Sequence, residues 1–310
     1  MNLRTNNKVN NSNINKNEVD FDTEVLNYLD LIGYIRRRQL VNDLMSAHKG
    51  ERGYSQKSID RKLGILVKTG QVLILKNPEE LERYGIDRED GKASYFVSKL
   101  SSEIKTHIDN VIDILKSENE IDIKEALIEI ENYEQSYALT PSHLDLLVEN
   151  LNTENTDLVD HLLRILYKYV IDIGREPANK EAFTQMLKRV LMRYPSPIKG
   201  YINLRTGLIH LLGYYEDEIV INQLRADAKT ISNLDTVMND YRTKCTASII
   251  EKHRTDLFDF KRELKKQGND EAAKFIGVIR YDAITQCGLN DRKMLLLDNN
   301  MKEWQNEVDF

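Results

Sequence analysis

The sequence predicts a mainly α-helical protein with a small amount of strand confined to its first third. Three observations predict it. The 310 residues include only five prolines and fourteen glycines, too little turn chemistry for a mainly β or α/β architecture. Apolar residues recur at spacings of three and four over most of the chain. Only two short runs, QVLIL (71–75) and ASYFV (93–97), are rich in β-branched and aromatic residues, as strands require. A length of 310 with 41% hydrophobic residues favours two domains, each with a real core.

Residues 1–20 open the chain with eight asparagines before position 20 and almost nothing to bury, a composition that predicts a disordered tail. The stretch 22–34, DTEVLNYLDLIGY, reads as a first helix. Asp22 is its expected N-cap, Val25, Leu26, Leu29 and Ile32 its apolar face, and Gly33 its stop. A second short helix follows over 37–46, with Leu40, Val41 and Leu44 in line.

The third helix, YSQKSIDRKLGILVKTG (54–70), has Ser55 in N-cap position and Gly70 placed for a left-handed C-terminal cap. Ile59, Leu63, Leu66 and Val67 form a stripe to bury, while Lys57, Arg61 and Lys68 share the opposite side with Gly64. The two strands flank a long acidic connection, 76–92, with six acidic residues against four basic ones.

Charge is unevenly spread. The net charge is -6, yet residues 36–68 hold nine Lys/Arg against three Asp/Glu, and residues 101–310 hold 27 against 36. Nucleic acid is therefore favoured locally and not by the chain as a whole.

Three helices and a β-hairpin within about 80 residues, carried by YSQKSIDRKLGILVKTGQVLIL, resemble a winged helix-turn-helix domain over 21–99. The resembling features are Ser55, Ser58, Arg61, Leu63, Leu66, Gly70 and Val72. The resemblance implies that helix 55–69 is a recognition helix entering the major groove of double-stranded DNA. Gln56, Lys57, Ser58, Arg61 and Lys68 would then reach the DNA. Arg61 suits a bidentate bond to guanine. Lys57, Lys62 and Lys68 suit phosphates. Arg36, Arg37 and Arg38 would flank the backbone near the start of the second helix, whose free N–H groups could also meet a phosphate. Winged helices also serve as protein-docking modules, and the acidic connection 76–92 fits that alternative.

From residue 100 to 310 the chain reads as helices: 101–118, 123–136, 142–151, 155–172, 178–193, 198–213, 216–228, a long amphipathic stretch 231–267, then 270–285 and 291–306. Within 141–228 the text NTDLVDHLLRILYKYVID and YINLRTGLIHLLGYYED is similar to one helix of a HEAT-like pair, and an irregular bundle fits it equally. The acidic balance there suits a protein partner. Leu234, Met238, Tyr241, Cys245 and Ile249 keep three- and four-residue spacing. They are the expected interface of a homodimer through the C-terminal helices, or else pack inward against the same chain, within a dimerisation or packing region 231–306.

No chemistry-bearing motif stands out. The six histidines and two cysteines, Cys245 and Cys287, show no metal-ligand spacing. No glycine-rich phosphate loop occurs. Glu251, Lys252 and His253 read as a solvated helix face. The expectation is a DNA-binding protein that is no enzyme and needs no cofactor or metal: a transcriptional regulator, or a replication or partition factor. Its asparagine-rich tail hints compositionally at a bacterial mobile element. Two unpaired cysteines and the lack of a signal peptide or an eighteen-residue apolar run suggest a reducing, cytoplasmic location away from membranes.

Overall fold

The structure, a computed structural model, describes residues 20–86, 93–117, 119–133, 138–194 and 202–287. The asparagine-rich stretch 1–19, the centre of the acidic connection (87–92), the break at 195–198 and the helix expected over 291–306 lie outside the described residues. Among the described residues the chain is mainly α-helical with one small three-stranded antiparallel sheet. It forms two compact units. The first draws on Met1–Glu82 with Asp87–Ile104, and the second on Arg83–Ile86 with everything from Lys105 onward.

The first unit runs α1 (Phe21–Ile32), β1 (Ile35–Arg36), α2 (Arg37–Ala47), α3 (Gln56–Lys68), β2 (Val72–Leu75), most of α4 (Pro78–Arg83) and β3 (Tyr95–Ser98). The sheet order is β1-β3-β2. Ile35 pairs with Phe96, and Val72 with Ser98. Val25, Leu29, Leu40, Leu44, Ile59, Leu63, Leu66, Val72 and Phe96 fill one core, each side chain worth about 1.5–3 kcal/mol for leaving water.

Three expectations for this unit shift. The N-cap position of α1 belongs to Asp20, and Asp22 lies in the first turn, where its charge suits the helix dipole. Each strand starts one or two residues late. β1 and α4 leave no clear mark in the sequence: two residues of strand carry no pattern, and α4 lies within the acidic connection.

The end of α3 explains how the chain enters the sheet. Gly70, at φ 74°, donates its N–H to Val67 O (3.1 Å), and Gln71 donates to Leu66 O (3.0 Å). This is a Schellman arrangement, which satisfies the last carbonyls of the helix and needs a left-handed residue. β2 begins two residues later.

The second unit contains most of α5 (Lys99–Ile114), then α6 (Glu120–Glu131), α7 (Pro141–Asn150) and α8 (Thr156–Tyr167), which continues as a π-helical turn, Lys168–Asp172. Next come α9 (Lys180–Arg193), α10 (Ile202–Tyr214), α11 (Ile219–Thr230), α12 (Asp235–Tyr241), α13 (Lys244–Lys252), α14 (Arg254–Lys266) and α15 (Asp270–Gln286). Helices pack in succession: α6 on α8, α8 on α10, α10 on α13, and α13 on α15.

The amphipathic stretch 231–267 is three helices, broken at Arg242–Thr243 and at His253. The row Leu234, Met238, Tyr241, Cys245 and Ile249 is therefore no single outward face. Tyr241 and Ile249 are buried in the chain's own core. Tyr241 belongs to a buried polar cluster in which Arg205 bonds Asp227 and Asp240 and lies 3.2 Å from the Tyr241 hydroxyl. Both carboxylates need those partners, since an unpaired buried charge is costly.

Candidate nucleic-acid interface

The sequence makes α3 amphipathic, and the structure seats its apolar stripe in the core of the first unit. Ile59, Leu63 and Leu66 are buried there. The side that faces away follows from the helical repeat. At about 100° per residue, Lys57, Arg61, Gly64, Ile65 and Lys68 all fall within about 60° of Arg61. Gln56, Lys57, Arg61 and Lys68 are exposed, and Ser58 is half-buried. Arg61, Lys57 and Lys68 make no ion pair with any described residue. Their charge is thus uncompensated, which is what a phosphate or base edge requires.

Gly64 lies on the same side. A methyl group built there would meet nothing within 4 Å. Packing inside the unit therefore does not demand glycine, although glycine in a helix interior costs about 1 kcal/mol against alanine.

The remaining expected contacts divide. Arg38 is exposed in the first turn of α2. Arg37 is exposed but pairs with Asp60 on α3, Nη2 to Oδ1 2.8 Å. Arg36 lies in β1, where its Nε donates to the Tyr95 hydroxyl at 2.9 Å and its guanidinium sits 5.6 Å from that ring's centroid. Lys62 departs furthest from expectation. Its ammonium lies 4.2 Å from the centroid of Phe21 and 5.3 Å from that of Tyr54. At about 100° from Arg61 on the helix, it turns toward this aromatic pair and away from the Arg61 face.

The turn between α2 and α3 is fixed by a compact polar cluster. His48 sits between Glu24 on α1, 2.5 Å from Nε2, and Glu51 in the turn, 2.8 Å from Nδ1. Its ring stacks on Tyr54 at 3.8 Å and 14°. Tyr54 donates its hydroxyl to Glu24 at 2.7 Å. Bonds to Glu24 and then Glu51 raise the His48 pKa, because only the imidazolium donates from both nitrogens. Burial, then the bond to Glu24, pushes Tyr54 up to about 12. The start of α3 is thereby held to α1, and with it the direction in which Arg61 points.

Sequence reasoning missed Ile65, which is 52% exposed on the outward side of α3. In the run GILVK an outward isoleucine is indistinguishable from the buried leucine beside it.

The second unit holds a cavity of about 310 Å³ between α8, its π-helical turn and α10. Arg164, Lys168, Tyr167 and His210 line it. Its cations are engaged: Arg164 with Asp160 and with Glu131 (3.2 Å), Lys168 with the carbonyls of Glu131 (3.5 Å) and Tyr133. Burial lowers the His210 pKa, so a neutral imidazole donates from Nε2 to the Asn239 carbonyl at 3.3 Å.

Among the described residues no group of three or more His, Cys, Asp or Glu could hold a metal ion, and no helix is long and apolar enough to cross a membrane. Comparison of the chain with protein-family models, with curated proteins and with solved structures finds no match.

Proposed function

We propose that the chain is a sequence-specific DNA-binding protein, a transcriptional regulator or a replication or partition factor, in which residues 21–99 act as a winged helix-turn-helix. The element order supports this reading: helix, strand, two helices, then two strands joined through the short helix α4, with the last strand in the middle of the sheet. The observation that carries it is the outward side of α3, where Lys57, Arg61 and Lys68 are exposed and make no ion pair among the described residues. Arg61 is central on that side and reads a base edge. Lys57 and Lys68 bind phosphates, with Arg38 contributing from α2.

The successive packing of α6, α8, α10, α13 and α15 supports a HEAT-like stack in the second unit, serving as a scaffold for a protein partner. Two copies of the chain, joined through the C-terminal helices, would read two half-sites. The rival reading, protein docking through the winged helix, draws on Ile65 and on the acidic residues Glu79, Glu80 and Glu82 of α4.

The test is selection from a pool of randomised duplexes at two salt concentrations, followed by sequencing of what is retained. The DNA reading requires one enriched sequence whose binding weakens as salt rises. No retention at low salt contradicts it and favours docking.

A further inference from the structure

We infer that Ile65 reads thymine methyl groups next to the base contacted by Arg61. The inference rests on the DNA-binding reading of α3 and names the bases that this side of the helix selects. Ile65 follows Arg61 by four residues, which places it about 40° around the helix from it. It is therefore a neighbour of the central arginine on the outward side. Its 52% exposure makes it the one large hydrophobic residue on α3 so far out of the core.

The core of the first unit does not call for isoleucine at this point. The side chain does not fill the core, whose residues on this helix are Ile59, Leu63 and Leu66. As a β-branched residue it is a poorer helix former than the lysine or alanine that a solvated position would accept. Its apolar surface gains only when something covers it.

In the major groove the thymine C5 methyl is the apolar group that base edges present, and cytosine lacks it. An isoleucine flanked by Arg61 and Lys68 thus meets apolar surface inside an otherwise polar, negatively charged groove. Gly64, the preceding residue, has no side chain, and an added methyl would find open space. The backbone can therefore come closer on that flank and let the branched side chain reach the depth of the methyl.

The experiment uses the full chain and a duplex enriched from the randomised pool. Each dT of that duplex is replaced in turn by deoxyuridine, which removes only the C5 methyl, and affinity is measured for the unaltered protein and for Ile65→Ala. The expected result is one thymine, or two adjacent ones, where the replacement weakens the unaltered protein on the order of fourfold, the worth of one buried methyl-sized group. Ile65→Ala should show the same loss on the thymine duplex and no further loss at that position on the deoxyuridine duplex. Equal sensitivity of both proteins to every replacement would overturn the inference while leaving DNA binding intact. So would unchanged binding by Ile65→Ala, which would assign the exposed isoleucine to a protein contact. If no duplex is enriched, the DNA reading fails and the inference falls with it.

Discussion

The Lys62 ammonium lies 4.2 Å from the centroid of the Phe21 ring, so one of the cations of α3 serves the fold of its own unit. Lys62→Ala should lower stability by about 0.5–1 kcal/mol through the lost cation–π contact. It should leave the salt dependence of DNA binding unchanged. Lys57→Ala should do the reverse, lowering the slope of log affinity against log salt by about one. Urea unfolding together with a salt titration of each variant separates the two lysines.

Gly64→Ala should move stability and affinity in opposite directions. The space around Gly64 is open, and alanine favours the helix by about 1 kcal/mol, so the melting temperature should rise. The added methyl would stand between the helix and the groove, so affinity for the selected duplex should fall. A variant that is more stable and binds equally well would show that the glycine has no part in recognition.

The Arg205 cluster should be intolerant of truncation. Arg205→Ala leaves Asp227 and Asp240 buried without their shared cation, a loss of about 3–5 kcal/mol. Burial already raises Asp240 to about 6, against the pull of Arg205. A change below 1 kcal/mol in urea unfolding would mean that water reaches the cluster.

Two histidines should give opposite pH dependences. The folded pKa of His48 is raised by Glu24 and Glu51. Its contribution is complete below the unfolded value of about 6.5 and is lost as pH rises through the folded value. His143 is lowered to about 4, by burial and then by Lys105. Its contribution is present above about pH 6.5 and is lost as pH falls toward its folded value. His48→Asn should flatten the alkaline side of the stability profile. His143→Gln should flatten the acid side and still reach back to the Thr140 N–H in the capping box.

What the sequence revealed was local pattern. The buried stripe of α3 and the glycine that ends the helix follow from spacing and backbone chemistry. The partner of Lys62 does not, because Phe21 stands 41 positions earlier in the chain and only packing brings them together. β1 exists through its pairing with Tyr95 and Phe96, which two residues cannot announce. The breaks at Arg242–Thr243 and His253 contain neither glycine nor proline, so the apolar spacing runs across them without marking where each helix ends. Likewise the π-helical turn after Tyr167 keeps the apolar rhythm of an α-helix.

Whether Arg61 reads a base from the outward side of α3 is decided by comparing Arg61→Ala with the unaltered protein on two duplexes. One carries the selected sequence and the other a single changed base pair at the guanine assigned to Arg61. Arg61→Ala should bind the selected duplex more weakly by about 1–3 kcal/mol and no longer distinguish the two. Full discrimination retained by Arg61→Ala, or equal binding of both duplexes by the unaltered protein, would contradict it.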